Sequence, residues 1–310
     1  MDQAAYILGI EIGGSKLQLV RGTPAGEIVE RFRFTVDPAR GAAALRERIE
    51  ETVRDLGRRQ PPAAIGVGFG GPVDWRTGRI CCSHHVSGWS EFPLGEWLQE
   101  LSGRPVRVDN DANVAALGEA RLGAGRGTNP VFYVTLGSGV GGGLVVADAI
   151  YHGTTPGEAE IGHVRLDRTA TVESRCAGWS VDRKIRALNA REPDGLLARL
   201  CAGMNGGEAR QLGAALQQGD AAALGLLKET ATDLAFGLSH VTHLLHPQVI
   251  VLGGGLSLLG EPLRAAVAEA LPGFVMEAFQ PGPDVRLARL GEDAVPTGAL
   301  LLAADAAKAA

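Results

Sequence analysis

The sequence predicts an α/β protein of two lobes, each a strand-rich unit followed by helices. Three observations predict it. A strand, glycine turn, strand pattern opens the chain at residues 6–20 and recurs at residues 131–146. Helical periodicity follows each copy. The 44 glycines among 310 residues are clustered rather than periodic, so collagen-like and low-complexity readings fail. The length allows one large or two medium domains with ample core.

Tyr6 to Ile12 (YILGIEI) is apolar with Gly9 and Glu11 interposed, Gly13-Gly14 makes the turn, and Lys16 to Val20 alternates. A third strand, Glu27 to Phe34, follows the Thr23-Pro24-Ala25-Gly26 turn, giving adjacent antiparallel hairpins. Leu45, Ile49 and Val53 mark a helix. Ala64 to Phe69 is a short buried strand ending in Gly70-Gly71-Pro72. Val106 to Val108 is a strand that runs into Asp109-Asn110-Asp111, a set of N-cap residues, and a helix from Ala112 to Leu122 closed by Gly123.

The opening pattern then returns as Val131 to Leu136, a turn over 137–143 and Leu144 to Val146, which implies an internal duplication. A long helix is expected over Ala221 to Leu245, then a strand at Gln248 to Leu252, Gly253-Gly254-Gly255, and a helix reaching about Leu271. The last helix carries Pro296 near its first turn.

Hydrophobic residues make up 45% and charged residues 21%, the mix of a globular enzyme, and the net charge of −5 argues against a nucleic-acid partner. No apolar run reaches membrane-spanning length, and Met1-Asp2-Gln3 does not begin a secretory signal, so a cytoplasmic protein without a membrane partner is expected. Cys81, Cys82, Cys176 and Cys201 form no disulfide framework at this length.

Glycine turns at 13–14, 137–143 and 253–255 offer backbone N–H groups to an anion and let a phosphate come close. Gly137, Gly139 and Gly142 fit a G-x-G-x-x-G spacing, but Leu144-Val145-Val146 reads as strand where a dinucleotide site needs a helix. No Walker A motif is present. Residues 253–255 stand between a strand and a helix, whose N-terminus favours negative charge and suits the adenosine or α-phosphate of a nucleotide. Asp111, at a strand-to-helix junction, is a candidate base, because the helix N-terminus favours its ionised form. Its competing role is to cap the helix, which Asp109 or Asn110 can also do.

These residues resemble the ROK family of repressors, open reading frames and sugar kinases. Gly9-Ile10-Glu11-Ile12-Gly13-Gly14-Ser15-Lys16 resembles its first phosphate motif, and Leu136-Gly137-Ser138-Gly139-Val140-Gly141-Gly142-Gly143 its second. Gly70-Gly71-Pro72-Val73-Asp74, Asn110-Asp111-Ala112-Asn113, Glu160-Ile161-Gly162-His163 and Val249 to Gly255 resemble four further landmarks, in order along nearly the whole chain. The resemblance implies a ribonuclease-H-like, actin-like ATPase fold with a central cleft. The repeated strand-and-helix pattern divides the chain into an N-terminal lobe over 1–115 and a C-terminal lobe over 116–295, and the resemblance implies that a last helix over about 296–310 packs back on the first lobe. It implies phosphoryl transfer from ATP with Mg²⁺ to a sugar hydroxyl, glucose foremost, with fructose, mannose or an N-acetylated amino sugar as alternatives. It also implies a homodimer or homotetramer.

Carried over residue by residue, Asp111 is the base, and Asn110, Glu160 and His163 bind the sugar. Gly13, Gly14, Ser15, Lys16, Gly137, Ser138, Gly139, Gly253, Gly254 and Gly255 hold the nucleotide. Glu11 sits near Mg²⁺, through water, where most relatives carry Asp. His85 takes the place of a sugar-touching Asn, and Asp182 falls near a sugar-binding Glu. Many relatives bind structural zinc through the His of the sugar motif and three Cys. Here only His163 and Cys176 match, short of the four ligands needed, so no zinc is expected. Adjacent residues in Cys81-Cys82-Ser83-His84-His85 chelate poorly. A family repressor needs a DNA-binding domain before the first phosphate motif, which here begins by residue 9. A sugar sensor without catalysis is the other alternative, favoured by Glu11 and the missing cysteines and opposed by Asp111.

Overall fold

The computed structural model describes residues 6–83, 86–157 and 159–309. They form two compact units. One holds the residues up to Gly127, Gly143–Ala159 and the chain from Arg289 onward; the other holds Thr128–Gly142 and Glu160–Ala288. The first unit thus keeps residues 116–127 and takes 143–159 as well, beyond the 1–115 expected from the sequence.

In the first unit, β1 (Ile7–Ile12), β2 (Lys16–Gly22), β3 (Ile28–Thr35), β4 (Ile65–Phe69) and, past a small hairpin of β5 (Val73–Asp74) and β6 (Arg79–Ile80), β7 (Val106–Asn110) make a sheet ordered β3-β2-β1-β4-β7. The first three strands pair antiparallel, as their turns demand, while β4 and β7 run parallel to β1. β1 is buried at every position, as a central strand covered on both faces must be.

Alternation along β1 sorts its side chains. Leu8, Ile10 and Ile12 join the core under α1 (Gly41–Arg59) and α2 (Leu94–Ser102), where Trp89 stands edge-on to Phe69. Ile7 joins Leu300, Ala303 and Ala304 of the C-terminal helix (Ala294–Ala309) on the other face. That helix also packs on α3 (Asp111–Leu122) through Val114, Leu117, Ala299 and Leu302. A Cβ on Gly66 would overlap the Ala299 carbonyl, and one on Gly298 the Val114 carbonyl. These glycines therefore serve close packing rather than a turn.

The second sheet runs β10-β9-β8-β11-β12, built from β8 (Val131–Leu136), β9 (Val140–Val146), β10 (Ala149–Ile150), β11 (Val249–Gly253) and β12 (Asp284–Leu287). β11 lies parallel to both β8 and β12. The strand order and these directions repeat those of the first sheet, which is the duplication expected from the glycine turns. The second unit adds α4 (Val172–Cys176), α5 (Gly178–Arg191), α6 (Leu196–Leu200), α7 (Leu212–Gln217), α8 (Ala221–Leu245) and α9 (Glu261–Ala270). α8 has the bounds read from its periodicity, because the Asp220 side chain accepts the Ala223 N–H and starts it there. The helix expected straight after Gly255 is instead a five-residue 3₁₀ turn (Gly255–Leu259), and α9 begins only after Gly260, whose φ of 71° interrupts the helix.

Candidate active site

In both sheets the glycine turns, and in the first also Asn110 and Asp111, stand at the carboxyl ends of parallel strands, the edge at which open α/β sheets bind ligands. In the first unit, Ile12, Phe69 and Asn110 lie side by side at the ends of β1, β4 and β7. Gly13, Gly70 and Asp111 follow them directly. A Cβ built on Gly70 would lie 3.3 Å from Asp111 Oδ2 and 3.5 Å from Gly13 Cα, so the missing side chain keeps this corner open. Asn110 caps α3: its Oδ1 accepts the N–H groups of Ala112 at 2.8 Å and Asn113 at 3.3 Å, and its Nδ2 donates to Gly71 O at 3.2 Å. Asp111 is the first residue of that helix, so the capping falls to its neighbour and its carboxylate sits at the positive end of the helix.

Glu11 is 7% exposed on the same edge of β1. Lys16 Nζ lies 3.2 Å from its Oε1, and Gln18 donates to its Oε2. Arg31 in turn donates to Gln18 Oε1 at 3.1 Å. Burial pushes the Glu11 carboxyl above the usual range, against the pull of the Lys16 ammonium. Mg²⁺ takes one or two carboxylates and fills its remaining positions with water and phosphate oxygens, so a single carboxylate framed this way fits the ion.

The first glycine turn closes by Gly13 N–H to Lys16 O at 2.9 Å and exposes Ser15. Its counterpart closes by Gly137 N–H to Gly139 O at 2.9 Å and exposes Ser138. Neither Gly13, Gly14, Gly137 nor Gly139 has a positive φ, so what glycine supplies in these turns is space. Gly254 is different. Its φ is 79°, and a Cβ there would lie 2.6 Å from Leu136 N, the residue before Gly137. The 253–255 loop and the 137–139 turn are therefore neighbours in the second unit, and the element after the loop is a 3₁₀ turn rather than the expected helix N-terminus.

Sequence reading overlooks Glu173. It stands in the first turn of α4, and its Oε2 accepts the Val140 N–H at 2.9 Å, locking the second glycine turn. Its only local signal is the capping box of Thr171 and Ser174 that fixes the start of α4. Glu160 and His163 share one 3₁₀ turn, 3.8 Å apart, and both are exposed. Asp182, expected with them, instead accepts the N–H groups of Gly207 at 3.0 Å and Ala209 at 2.7 Å and caps that loop. His85 lies outside the described residues. Cys176 is buried, donates to Thr230 O at 3.7 Å, and burial pushes its thiol up to about 12, which is unsuited to a thiolate ligand. Among the described residues no group of three or more His, Cys, Asp or Glu is placed to hold a metal ion.

A duplicated five-stranded α/β unit with glycine turns at the ends of its parallel strands defines a protein of the actin-like ATPase fold. The ROK family model matches residues 7–306, and the chain belongs to that family. It is 31% identical to a glucokinase of Halalkalibacterium halodurans over 93% of this chain and 92% of the relative. It is 27% identical to a glucokinase of Thermotoga maritima over 94% and 95%. The crystal structure of a ROK glucokinase from Streptomyces griseus with glucose and AMPPNP is similar at a TM-score of 0.84 and 28% identity, over 97% of this chain and all of that one.

Proposed function

We propose that this chain is an ATP-dependent sugar kinase that transfers a phosphoryl group to a hexose hydroxyl, glucose being the first substrate to test, with Asp111 as the base. Asp111 beside Gly13 and Gly70, at the positive end of α3, is the observation that carries this reading. Phosphoryl transfer needs a proton acceptor, positioning and charge neutralisation more than covalent chemistry. Asp111 supplies the first. As a carboxylate it can accept the hydroxyl proton at neutral pH. Asn110, Glu160 and His163 orient the sugar.

The 13–16 turn and the 137–139 turn are the phosphate-binding turns of this reading, each with an exposed serine, Ser15 or Ser138, and with side chains absent at its glycines. Gly253, Gly254 and Gly255 hold the adenosine end. Glu11 would hold Mg²⁺ through water, and the ion when bound neutralises charge on the phosphates. The names and ligands of the similar glucokinases support the same reading.

The test is a coupled assay of ATP turnover against a panel of hexoses and amino sugars. Asp111→Ala should retain sugar binding and lose turnover by orders of magnitude, about 10³-fold or more. No sugar-dependent turnover in the wild type refutes the kinase reading. Unchanged turnover in the variant removes Asp111 as base.

A further inference from the structure

Asp109 is 3% exposed and has no part in the roles assigned above, yet it ties together the residues on either side of Asp111. Its Oδ1 accepts the backbone N–H of Asn110 at 2.8 Å and the side-chain amide of Asn113 at 3.0 Å. Its Oδ2 lies 2.5 Å from His152 Nε2. A carboxylate only accepts, so His152 donates through Nε2. The ring of His152 stacks on Trp75, with centroids 4.1 Å apart and planes 13° from parallel. The Asn113 amide also reaches Gly157 O at 3.4 Å, so the 151–157 segment meets this junction twice, three residues before Glu160.

We propose that His152 is a positioning residue for phosphoryl transfer: by holding Asp109 it fixes Asn110 and Asn113, and through them the direction in which Asp111 points. This rests on the sugar-kinase reading. The torsion that turns a carboxylate about its last bond is broad, so two amide donors on one oxygen leave the carboxylate plane soft. A third donor on the other oxygen selects one plane. Asn110 and Asn113 then have a fixed acceptor, and Asp111, between them in sequence, has a fixed register. Misplacement of a reacting group by about 1 Å costs about 10²-fold in rate.

A packing role for His152 makes the opposite forecast from a positioning role, and two substitutions separate them. His152→Phe keeps a flat ring on Trp75 and removes the donor. His152→Gln removes the ring and keeps a donor at the same reach. Positioning predicts that kcat of the Phe variant falls about 10- to 100-fold, with KM for ATP close to wild type and with a lower Tm, because Asp109 loses a buried partner. It also predicts that the Gln variant recovers most of the loss. Packing alone predicts the reverse order, with Gln the worse enzyme. Phe at wild-type kcat, or Gln below Phe, overturns the proposal. Should the Phe protein not fold, Asp109→Asn carries the test. It should lower kcat by a similar factor, and full activity in that variant overturns the proposal. A wild type inactive on every sugar removes the kinase reading and this proposal together. An active wild type with an undisturbed Phe variant removes this proposal alone.

Discussion

Glu119→Ala should destabilise the first unit by about 3–5 kcal/mol, although Glu119 touches no candidate substrate residue. Its side chain is fully buried in α3. Oε2 accepts the N–H of Ala124 at 2.7 Å and of Arg289 at 3.1 Å, and Oε1 accepts that of Leu290 at 2.7 Å. Hydrogen bonds to a charged group contribute about 1.5–3 kcal/mol each, and they are not additive. Removing one partner of a buried charged set costs about 3–5 kcal/mol, because the groups left behind are dry and unpaired. Small proteins hold only about 5–15 kcal/mol in all, so much of the unit's stability is at stake. With a urea slope of about 2 kcal/mol per molar, the midpoint should fall by roughly 2 M at constant slope. Glu119→Gln should fall between, since its amide keeps one acceptor and turns a donor toward the other N–H. Urea unfolding followed by far-UV circular dichroism reads this, with the transition of the first unit fitted separately if two appear. An Ala variant within about 1 kcal/mol of wild type would refute the argument that these three contacts close the end of α3 and, through Arg289 and Leu290, hold it to the entry of the C-terminal helix.

Gly254→Ala should raise KM for ATP about tenfold or more and lower Tm. A φ of 79° costs an alanine about 1–3 kcal/mol, and its Cβ would press on the backbone of Leu136 beside the phosphate turn. Glu11→Gln should cut kcat about 10- to 100-fold and raise the Mg²⁺ concentration needed for half-maximal rate, because the buried carboxylate is lost while Gln18 still finds an amide oxygen; an unchanged Mg²⁺ titration would exclude Glu11 from the metal's surroundings. In native protein at pH 8, two of the four thiols should react quickly with a chromogenic disulfide. These are Cys81 and Cys82, which are half-buried, whereas burial raises both Cys176 and Cys201 and keeps them protonated until the chain unfolds.

What the sequence discloses is what local chemistry decides. The opening hairpins, α8 and the junction at Asp109-Asn110-Asp111 are readable because turn glycines, periodicity and caps act over a few residues. The partition of work inside that junction is not readable. Three adjacent residues can all cap, and only the folded chain makes Asn110 the cap and Asp109 the anchor for His152, 43 residues away. Glu173 escapes for the same reason, since its value lies in the N–H of Val140, 33 residues earlier. Asp182 shows the same limit, since an acidic residue in sequence carries no mark of the loop it caps. The abundance of glycine, read first as turns, turns out in part to be helix-to-sheet contact at Gly66 and helix-to-helix contact at Gly298.

The duplication explains the scaffold, and its broken symmetry explains the site. β7 and β12 occupy the same place in their sheets and share a Val-Arg pair, Val106-Arg107 and Val285-Arg286. Counting on from those pairs, Asp109, Asn110 and Asp111 of the first copy correspond to Ala288, Arg289 and Leu290 of the second. The second copy thus has no carboxylate where the first has Asp111. The backbone N–H groups of Arg289 and Leu290 instead bind Glu119 on α3, two turns along the helix from Asp111. One strand end carries the candidate base, and the residues at the matching place of the second copy fasten the helix that follows it. A single proton acceptor is all that one phosphoryl transfer requires, so the reading of Asp111 as base asks for no second acid at the corresponding position.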